Sequence, residues 1–397
     1  MRVAYFPDSF HEINGVAHTS RQFEAFAQRR DLAFLSVRAG DRDQSYVRKG
    51  RVSSLELKRG ALSFALEKDL RFDLGFLRHL PLITRTVREF KPDVIHITGP
   101  SELGFIGAFL SVRLGIPLVA SWHTNVHEYA AKRSSWFLRF LPPGHSTMAA
   151  MHIKQITLAA TARFYKLAEV LFAPNVELCK LLERKTARPC RLMPRGVDTE
   201  LFSPVHRNRK VADGQFVLGF VGRLSVEKNV TLLKRIGEQL DAAGLTNYRF
   251  LIIGHGAEEQ WLRDNLAKAD LPGVLRGEEL SRAYANMDLF VFPSHTDTFG
   301  NVILEALASG VPAIVTPDGG PRYIVREGET GLIAQDSQFA ASVASILRDP
   351  ERHAKMRAAA RSYALGASWD TVFEDVHSAY ESALVKAPKA APLGATL

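Results

Sequence analysis

Short, apolar, β-prone runs recur along nearly the whole of this 397-residue chain, and helical patterns lie between most of them. Strands and helices that alternate in this way favour parallel sheets with helices on both faces. Because a chain of this length exceeds one ordinary hydrophobic core, two α/β domains are expected. The predicted strands are Arg2–Phe6, Leu32–Val37, Asp93–Ile97, Pro117–Ala120, Val170–Ala173, Cys190–Met193, Val217–Val221, Arg249–Ile253, Leu289–Phe292 and Ala313–Val315.

Composition is that of a large globular protein, with 46% hydrophobic and 23% charged residues. No apolar run approaches the roughly 20 residues that a membrane span needs. Met1 and Arg2 lead directly into a predicted strand, so no signal peptide is expected. Cys179 and Cys190 are the only cysteines and form no CxxC motif, which argues against a disulfide framework. These features together predict a cytoplasmic protein.

The segment Ser294–Pro312 (SHTDTFGNVILEALASGVP) holds two carboxylates among small residues. Asp297 is expected on a loop at the carboxyl end of a strand, and Glu305 about two turns into the helix Asn301–Ala308 that follows. Ligands of open α/β sheets bind at that edge. The two carboxylates are therefore placed to hold two hydroxyl-bearing parts of one ligand. The alternative is a helix cap and a solvated glutamate.

A pair of cations follows another predicted strand in the segment Gly222–Asn229 (GRLSVEKN). Arg223 and Lys228 there would suit a diphosphate. A departing nucleoside diphosphate gains negative charge as its glycosidic bond breaks, and fixed cations stabilise that charge most in the transition state. The alternative is two ordinary surface cations.

Two weaker motifs lie in the first half of the chain. Gly15 ends the tripeptide ING soon after the first strand, where glycine lets backbone approach a phosphate and the following helix offers free N–H groups. His123 lies in SWHTN after a predicted strand, and its spacing to His127 and Glu128 could suit a metal ion on one helix face. Since no further ligand cluster is evident, a buried structural histidine is the better interpretation of the residues alone. The pair Asp41 and Asp43 lies in a polar loop and is interpreted as a turn rather than a metal site.

In this order along the chain, the motifs resemble those of retaining glycosyltransferases of family 4, and bacterial lipid mannosyltransferases and sulfoquinovosyltransferases in particular. The resemblance covers nearly the whole chain, although Asp297 stands where the first of two glutamates is usual. It implies the α/β fold called GT-B, with two Rossmann-like parallel-sheet domains facing a central cleft and a C-terminal helix that crosses back to the first domain. The implied divisions are an acceptor-binding domain (1–200), a linker (201–214), a nucleotide-sugar-binding domain (215–366), the crossover helix (367–385) and a loose tail (386–397).

The resemblance also implies roles for individual residues. The catalytic residues would be His123 beside the donor sugar, Arg223 and Lys228 at the leaving diphosphate, and Asp297. The implied donor-binding set is Gly15, Arg223, Lys228, Gly254, Arg276, Asp297, Phe299, Gly300, Asn301 and Glu305. Expected from the family is hexose transfer with retention of configuration, in which a donor phosphate oxygen helps to remove the acceptor proton. No metal or other cofactor is expected, and GDP-mannose is narrowly favoured over UDP-sugars as the donor.

The net charge of +9 is unevenly distributed. Residues 1–200 contain 30 Lys and Arg against 19 Asp and Glu, a net +11, whereas residues 201–397 carry −2. This asymmetry predicts an anionic partner for the first half. The segment Lys132–Leu141 mixes cations with aromatic residues, as a segment lying in a membrane interface would, and Lys58–Phe64 is a weaker second candidate. The residues proposed to contact membrane or acceptor are Lys132, Arg133, Trp136, Phe137 and Arg139.

Association with the inner face of the cell membrane and a lipid or glycolipid acceptor are therefore expected. A helix packed on the domain with solvated cations remains the alternative for Lys132–Leu141. No zinc finger, helix-turn-helix or RNA-binding motif supports a nucleic-acid partner. The sequence predicts no oligomeric state.

Other functions stay open at this point. The same reaction could use a UDP-sugar donor and a soluble or polysaccharide acceptor, or the chain could be a nucleotide-sugar-binding membrane protein without activity. A nicotinamide-dependent oxidoreductase is disfavoured, because the first strand is followed by FPDSFHEING, which lacks the glycine fingerprint G-x-G-x-x-G.

Overall fold

The chain forms two compact units, Met1–Pro194 with Val372–Leu397, and Arg195–Thr371. We refer to them as unit 1 and unit 2. A computed structural model describes residues 1–12, 15–60, 63–67, 70–73, 75–122, 155–209, 214–297 and 299–386. Each unit contains its own, mostly parallel sheet and its own hydrophobic core. This confirms the predicted α/β class with two parallel-sheet domains. Over the described residues, no helix is both long and apolar enough to cross a membrane.

Unit 1 is built on an eight-stranded sheet in the order β10-β9-β8-β7-β1-β2-β4-β3, parallel except where β3 meets β4. A separate hairpin joins β5 and β6. The strands are β1 (Arg2–Phe6), β2 (Ala33–Gly40), β3 (Ser45–Lys49), β4 (Val52–Lys58), β5 (Ser63–Glu67), β6 (Leu70–Asp73), β7 (Val94–Ile97), β8 (Leu118–Ser121), β9 (Val170–Ala173) and β10 (Cys190–Leu192). The helices are α1 (Gly15–Arg29), α2 (Leu80–Phe90), α3 (Glu102–Leu114), a helical stretch over 155–165, and α4 (Val176–Thr186).

The strands β3 and β4 were not predicted, because neither contains a continuous apolar run. Every residue of β3 is exposed, and it pairs at the sheet edge, where backbone hydrogen bonds rather than burial define the strand. Of the two cations in Lys58–Phe64, only Arg59 contradicts the suggestion that the segment faces lipid. Lys58 is exposed at the end of β4, whereas Arg59 is 4% exposed and held by two carboxylates, so its guanidinium cannot reach a lipid headgroup.

The C-terminal helix α11 (Trp369–Lys386) returns to unit 1, as predicted. Phe373 of α11 stacks on Phe23 of α1 with ring centroids 4.4 Å apart. Tyr380 lies 2.6 Å from Nδ1 of the buried His96, whose Nε2 lies 2.5 Å from the Ser121 hydroxyl. Burial lowers the pKa of His96 to about 3, so the ring stays neutral and satisfies one donor and one acceptor. The helix is therefore fixed by specific polar contacts as well as by aromatic packing.

Unit 2 is built on a six-stranded parallel sheet in the order β13-β12-β11-β14-β15-β16. Its strands are β11 (Phe216–Val221), β12 (Tyr248–Ile253), β13 (Ala269–Gly273), β14 (Leu289–Phe292), β15 (Ala313–Val315) and β16 (Gly331–Ile333). Its helices are α5 (Leu232–Ala242), α6 (Glu259–Asn265), α7 (Gly277–Ala285), α8 (Asn301–Ala308), α9 (Phe339–Leu347) and α10 (Pro350–Gly366). The strand order reverses between β11 and β14. The sequence missed the short outer strands β13, which contains a proline, and β16.

Arg207 and Arg209, which lie in the predicted linker, are anchored to unit 2 by a buried charge. Asp288, whose side chain is 0% exposed, accepts hydrogen bonds from Arg207 at 2.6 Å and from Arg209 at 2.8 Å. The backbone N–H of Val217, in β11, donates to the same carboxylate at 2.8 Å. Because a buried carboxylate needs several donors, Asp288 fixes the chain just before it enters the sheet.

We expect Asp288→Ala to lower the free energy of unfolding of unit 2 by about 3 kcal/mol, because the substitution leaves two largely buried guanidinium groups without their counter-ion. Urea unfolding followed by tryptophan fluorescence and by circular dichroism would measure the loss. Glu89→Ala, which removes an exposed pair with Arg85, is the control and should change stability by less than about 0.5 kcal/mol. Equal effects of the two substitutions would contradict this account of Asp288.

Candidate functional site

The carboxyl ends of β11 and β14 lie side by side where the strand order of unit 2 reverses. Loops that leave adjacent strands in opposite directions at such a point open a crevice, which is where ligands of open α/β sheets bind. Lys228, after β11, forms an ion pair with Asp297, after β14. Their side chains are 23% and 19% exposed. The structure thus brings together two residues that the sequence analysis had placed in separate motifs.

The loop that carries Lys228 is held by its neighbour Asn229. Asn229 adopts the left-handed conformation with φ of 52°, and its amide donates to the Pro293 carbonyl at 3.3 Å and to Asp336 at 3.2 Å. The Thr296 hydroxyl donates to the Glu227 carbonyl at 3.2 Å, which joins the two loops directly. The backbone beneath the Lys228 side chain is therefore fixed.

A pair of glycines after β15 supports the Asp297 loop. The Gly320 N–H donates to the Asp297 carbonyl at 2.7 Å. Gly319 has φ of +72°, and a Cβ there would lie 2.6 Å from the same carbonyl oxygen. Glycine is therefore required at this position by both conformation and space.

Glu305 is the fifth residue of α8, a little over one turn from its start rather than the two turns expected. Oε2 of Glu305 accepts a hydrogen bond from the buried Tyr284 hydroxyl at 2.8 Å. Burial raises the pKa of Glu305 to about 7, although the Tyr284 hydrogen bond acts in the opposite direction. Burial, together with Glu305, raises the pKa of Tyr284, so the phenol keeps its proton and remains a donor. The carboxylate is thus oriented by one protein donor and gains from any further donor that a ligand supplies.

The loops after β11 and β12 approach each other closely through glycine. A Cβ on Gly254, whose φ is +145°, would lie 1.8 Å from the Gly222 carbonyl oxygen. The Gly222 N–H donates to the Ile253 carbonyl at 3.0 Å. Arg223 follows Gly222 and is exposed at this edge of the sheet. The glycines therefore bring the backbone of two loops together beneath a cation.

The remaining predicted donor residues of unit 2 lie on the starts of two helices. Gly300, with φ of +92°, immediately precedes α8, and Asn301 is the first residue of that helix. Phe299 packs partly against the core of the unit. Arg276 precedes α7 in an extended conformation, and α7 also carries Tyr284. Amides at the start of a helix can bind an anion or a sugar oxygen, although that of Ile303 in the first turn of α8 donates to the Gly300 carbonyl at 2.9 Å.

His295 forms a second polar contact set beside the Asp297 loop. Its two ring nitrogens lie 2.8 Å from Asp318 and 2.9 Å from Asp336. Burial lowers the pKa of His295, but the hydrogen bonds and charges of the two carboxylates raise it above its ordinary value overall. A protonated His295 would donate to both carboxylates and hold the Asp297 loop to the segments that follow β15 and β16.

Several predicted residues fall elsewhere. Gly15 is the first residue of α1 in unit 1. The residues predicted near the sugar and the membrane, and the tail 387–397, lie outside the described residues; those side chains are His123, Lys132, Arg133, Trp136, Phe137 and Arg139. In the described parts of the chain, no group of three or more His, Cys, Asp or Glu is arranged to hold a metal ion.

Sequence reasoning missed the groups that support the site. Tyr284, Asn229 and His295 act through contacts with residues distant in sequence, which no local pattern indicates. The pair Gly319 and Gly320 did carry a signal, because two adjacent glycines in the loop after a predicted strand indicate close backbone approach.

Comparison with solved structures defines the fold. The chain matches a sucrose-phosphate synthase from Thermosynechococcus elongatus with a TM-score of 0.66 and 18% identity, over 97% of this chain and 99% of that one. It matches a glycosyltransferase from Rickettsia africae with a TM-score of 0.67 and 13% identity, again over 97% and 99%. These structures are GT-B glycosyltransferases, so the chain has the GT-B fold.

Sequence comparison identifies the family. Residues 16–201 match the family model described as Glycosyltransferase Family 4, and residues 203–363 match that of Glycosyl transferases group 1. A GDP-mannose-dependent alpha-mannosyltransferase of Mycobacterium tuberculosis is 33% identical over 310 residues, 75% of each chain. A sulfoquinovosyl transferase of Arabidopsis thaliana is 29% identical over 77% of this chain and 59% of its own. The protein belongs to glycosyltransferase family 4, as its motifs predicted.

We expect Tyr284→Phe to weaken nucleotide binding about threefold to tenfold near pH 7 and to restore it near pH 8.5. Without the phenol, the pKa of Glu305 rises further, so more of the carboxyl group is protonated at neutral pH and fewer sites can accept hydrogen bonds from the hydroxyl groups of a ligand. Titration with GDP and UDP at the two pH values would measure this.

Tyr248→Phe is the matched control, since the Tyr248 hydroxyl donates to the Gly237 carbonyl at 2.8 Å and does not contact Glu305. An equal loss of affinity at both pH values for Tyr284→Phe would contradict the proposed control of Glu305 ionisation.

Proposed function

We propose that the protein transfers a hexose, with retention of configuration, from a nucleoside diphosphate sugar to a lipid or glycolipid acceptor at the membrane surface. GDP-mannose is the favoured donor. The observation that carries the proposal is the ion pair of Lys228 with Asp297 at the point where the strand order of unit 2 reverses. A cation, a carboxylate and a helix N-terminus meet there within one crevice.

Lys228 and Arg223 supply positive charge for the diphosphate. Lys228 is one-quarter exposed and already paired, so a diphosphate competes with Asp297 for the ammonium group. Arg223 is exposed on the loop that Gly222 and Gly254 hold in place. As the glycosidic bond breaks, both cations stabilise the charge that develops on the leaving diphosphate. We infer that these cations serve in place of a metal ion.

Glu305 binds the ribose of the donor in this proposal. Two ribose hydroxyls can donate to the carboxylate that Tyr284 orients. These hydrogen bonds compensate the burial that raises the pKa of Glu305 to about 7, so binding favours the ionised carboxylate. These ligand hydrogen bonds contribute most to the binding free energy when the protein itself supplies few hydrogen-bond donors to the carboxylate.

Asp297 and the amides at the start of α8 bind the sugar. Released from Lys228, the Asp297 carboxylate accepts hydrogen bonds from sugar hydroxyls, and its loop is fixed from below by Gly319 and Gly320. The family resemblance implies that His123 also contacts the sugar. The acceptor hydroxyl attacks on the face from which the diphosphate leaves, and a donor phosphate oxygen takes its proton. Gly254, Arg276, Phe299 and Asn301 complete the donor contacts in this proposal.

The choice of mannose rests on relatives. The sequences of three bacterial proteins named GDP-mannose-dependent alpha-mannosyltransferase are 31–33% identical to this chain. Proteins named D-inositol 3-phosphate glycosyltransferase are also similar, at 28–30% identity. The second candidate is therefore the same reaction with a UDP-sugar and a soluble or polysaccharide acceptor. A nucleotide-sugar-binding membrane protein without activity is the candidate of another class.

The distribution of positive charge supports a lipid acceptor and a location at the inner face of the cell membrane. The net +11 of residues 1–200 and the cationic, aromatic composition of Lys132–Leu141 suit an anionic lipid surface. The protein would bind the membrane peripherally, through side chains such as Trp136 and Arg139.

The donor is tested by thermal stabilisation with GDP, UDP, ADP and their sugars, followed by turnover of the stabilising donor. We expect GDP and GDP-mannose to stabilise the protein most, and the anomeric configuration of the product, determined by NMR, to match that of the donor. Lys228→Ala should lower turnover about 100-fold, because the leaving diphosphate loses a cation.

Lys234→Ala is the control, since Lys234 pairs with Glu238 one helical turn away in α5 of the same unit. Unchanged turnover in Lys228→Ala would refute its role at the leaving group. Stabilisation by a nucleotide sugar without any turnover would favour the non-catalytic candidate.

Membrane association is tested by flotation with liposomes. Recovery should rise when an anionic phospholipid is added to neutral vesicles, and it should fall at least about threefold in Trp136→Ala and in the double variant Lys132→Ala/Arg133→Ala. The adjacent cations Lys234 and Arg235 of unit 2 give a matched double alanine control. Equal recovery with neutral and anionic vesicles, and in all variants, would refute this part of the proposal.

A further inference from the structure

A second group of charged side chains lies at the carboxyl edge of the sheet in unit 1. Asp8 and Glu12 follow β1, Arg59 follows β4, and Glu102 begins α3 just after β7. The strands β7, β1, β2 and β4 are consecutive in the sheet, so these four residues gather at one edge. In an α/β sheet this is again the edge where ligands bind.

Arg59 lies at the centre of the group and is almost completely buried. Its Nη1 donates to Glu12 at 3.2 Å and its Nε donates to Glu102 at 3.1 Å. Its side chain is only 4% exposed, and Asp8 is close enough for the guanidinium to lower the pKa of that residue. One fixed positive charge therefore faces three carboxyl groups, and the group as a whole is acidic.

Two buried carboxylate oxygens of this group accept no hydrogen bond from the described residues. They are Oδ1 of Asp8 and Oε2 of Glu102, whose side chain is 5% exposed. Buried polar atoms are nearly always hydrogen-bonded, so two acceptors in one place without a donor among the described residues call for a further donor, which a ligand can supply. Burial raises the pKa of Asp8 to about 7 and also raises that of Glu102, which agrees with missing donors.

The position of Asp8 is constrained tightly by its surroundings. Its N–H donates to the Thr98 hydroxyl at 2.7 Å, and its carboxyl group also hydrogen-bonds Ser101. A Cβ on Gly99 would lie 2.1 Å from Asp8 Oδ2, so the carboxylate is pressed against backbone that only glycine provides. The unpartnered oxygen is thus held in a fixed place, as a binding group must be.

We propose that Asp8 and Glu102 accept hydrogen bonds from neighbouring hydroxyl groups of an uncharged polyol, either a sugar ring or glycerol, and that this polyol is the head of the acceptor. The identification with the acceptor rests on the proposed function, whereas polyol binding does not. Hydroxyl groups supply the donors that Oδ1 of Asp8 and Oε2 of Glu102 lack, and two carboxylates can bind two hydroxyls of one ring.

The charge of the group selects against other ligands. A phosphate would be repelled, because the single guanidinium of Arg59 is already paired with Glu12 and Glu102. A metal ion is disfavoured because no described set of three or more side chains is arranged to ligate one. The acceptor therefore presents hydroxyl groups, rather than a phosphate, at this edge of unit 1.

The test is direct binding of methyl α-glucoside, methyl α-mannoside, myo-inositol, inositol phosphate and glycerol to the full chain, measured by ligand-observed NMR without donor. We expect at least one neutral polyol to bind. Asp8→Asn should reduce its affinity at least about tenfold while thermal stability stays close to that of the unchanged protein, because the isosteric amide keeps the volume and loses one acceptor and the charge. Glu102→Gln should reduce the affinity as well but also lower the stability, because it neutralises a counter-ion of the buried Arg59. Glu89→Gln, on the exposed face of α2, is the control and should change neither quantity.

The outcomes separate this inference from the proposed function. No polyol binding, or binding unchanged in both variants, would overturn the inference even if donor turnover is found. Loss of binding in Asp8→Asn only in proportion to loss of thermal stability would also overturn it, since the carboxylate would then be structural. Tighter binding of inositol phosphate than of inositol would overturn the choice of an uncharged ligand. Polyol binding that depends on Asp8, in a protein that transfers no sugar, would support the inference and refute the transferase.

Discussion

The reversal of strand order between β11 and β14 is the constraint on which the site of unit 2 depends. The chain builds β11, β12 and β13 outward in one direction, then returns to the other side of β11 with β14. The loops after β11 and β14 therefore diverge above adjacent strands and leave a crevice that backbone cannot fill. The pairing of Lys228 with Asp297 follows from this topology, because each residue lies in the first loop beyond its own strand.

Each unit contains a buried carboxyl group that receives few hydrogen bonds from the described residues. Glu305 has one protein donor, Tyr284, and a pKa raised to about 7. Asp8 likewise has a pKa raised to about 7 and a buried oxygen without a donor. Such groups lower the stability of the free protein, and a ligand with hydroxyl groups recovers the loss on binding. Incomplete hydrogen bonding is therefore a source of affinity for hydroxyl-bearing ligands.

The sequence predicted strands and site residues correctly where the signal lay within a few consecutive residues. Buried strands such as β9, β14 and β15 carry continuous apolar runs, and their bounds were predicted correctly. Asp297 and Lys228 could be placed at strand ends because each follows such a run. The exposed edge strand β3 and the short β16 lack that signal, since edge pairing needs few buried side chains.

Contacts between distant positions could not be predicted. Tyr284 orients Glu305 from another helix, and Gly319 supports Asp297 from the loop after the next strand. Asp8 and Glu102 meet only because β1 and β7 are neighbours in the sheet. A single sequence carries no record of such neighbours, so the group around Arg59 looked like part of a cationic surface segment. The burial of Arg59 shows that its guanidinium does not belong to such a surface.

The distribution of charge within unit 1 separates two kinds of recognition. Residues 1–200 carry a net +11, yet the carboxyl edge of their sheet gathers Asp8, Glu12 and Glu102 around one buried guanidinium. The positive charge must therefore lie elsewhere, and among the described residues it is found on exposed side chains such as Arg113 and Lys166. Exposed cations attract an anionic surface over roughly the 10 Å that salt permits, whereas buried carboxylates bind only groups that donate hydrogen bonds at contact. The acceptor proposed above, with a neutral polyol head in an anionic membrane, would satisfy both requirements at once.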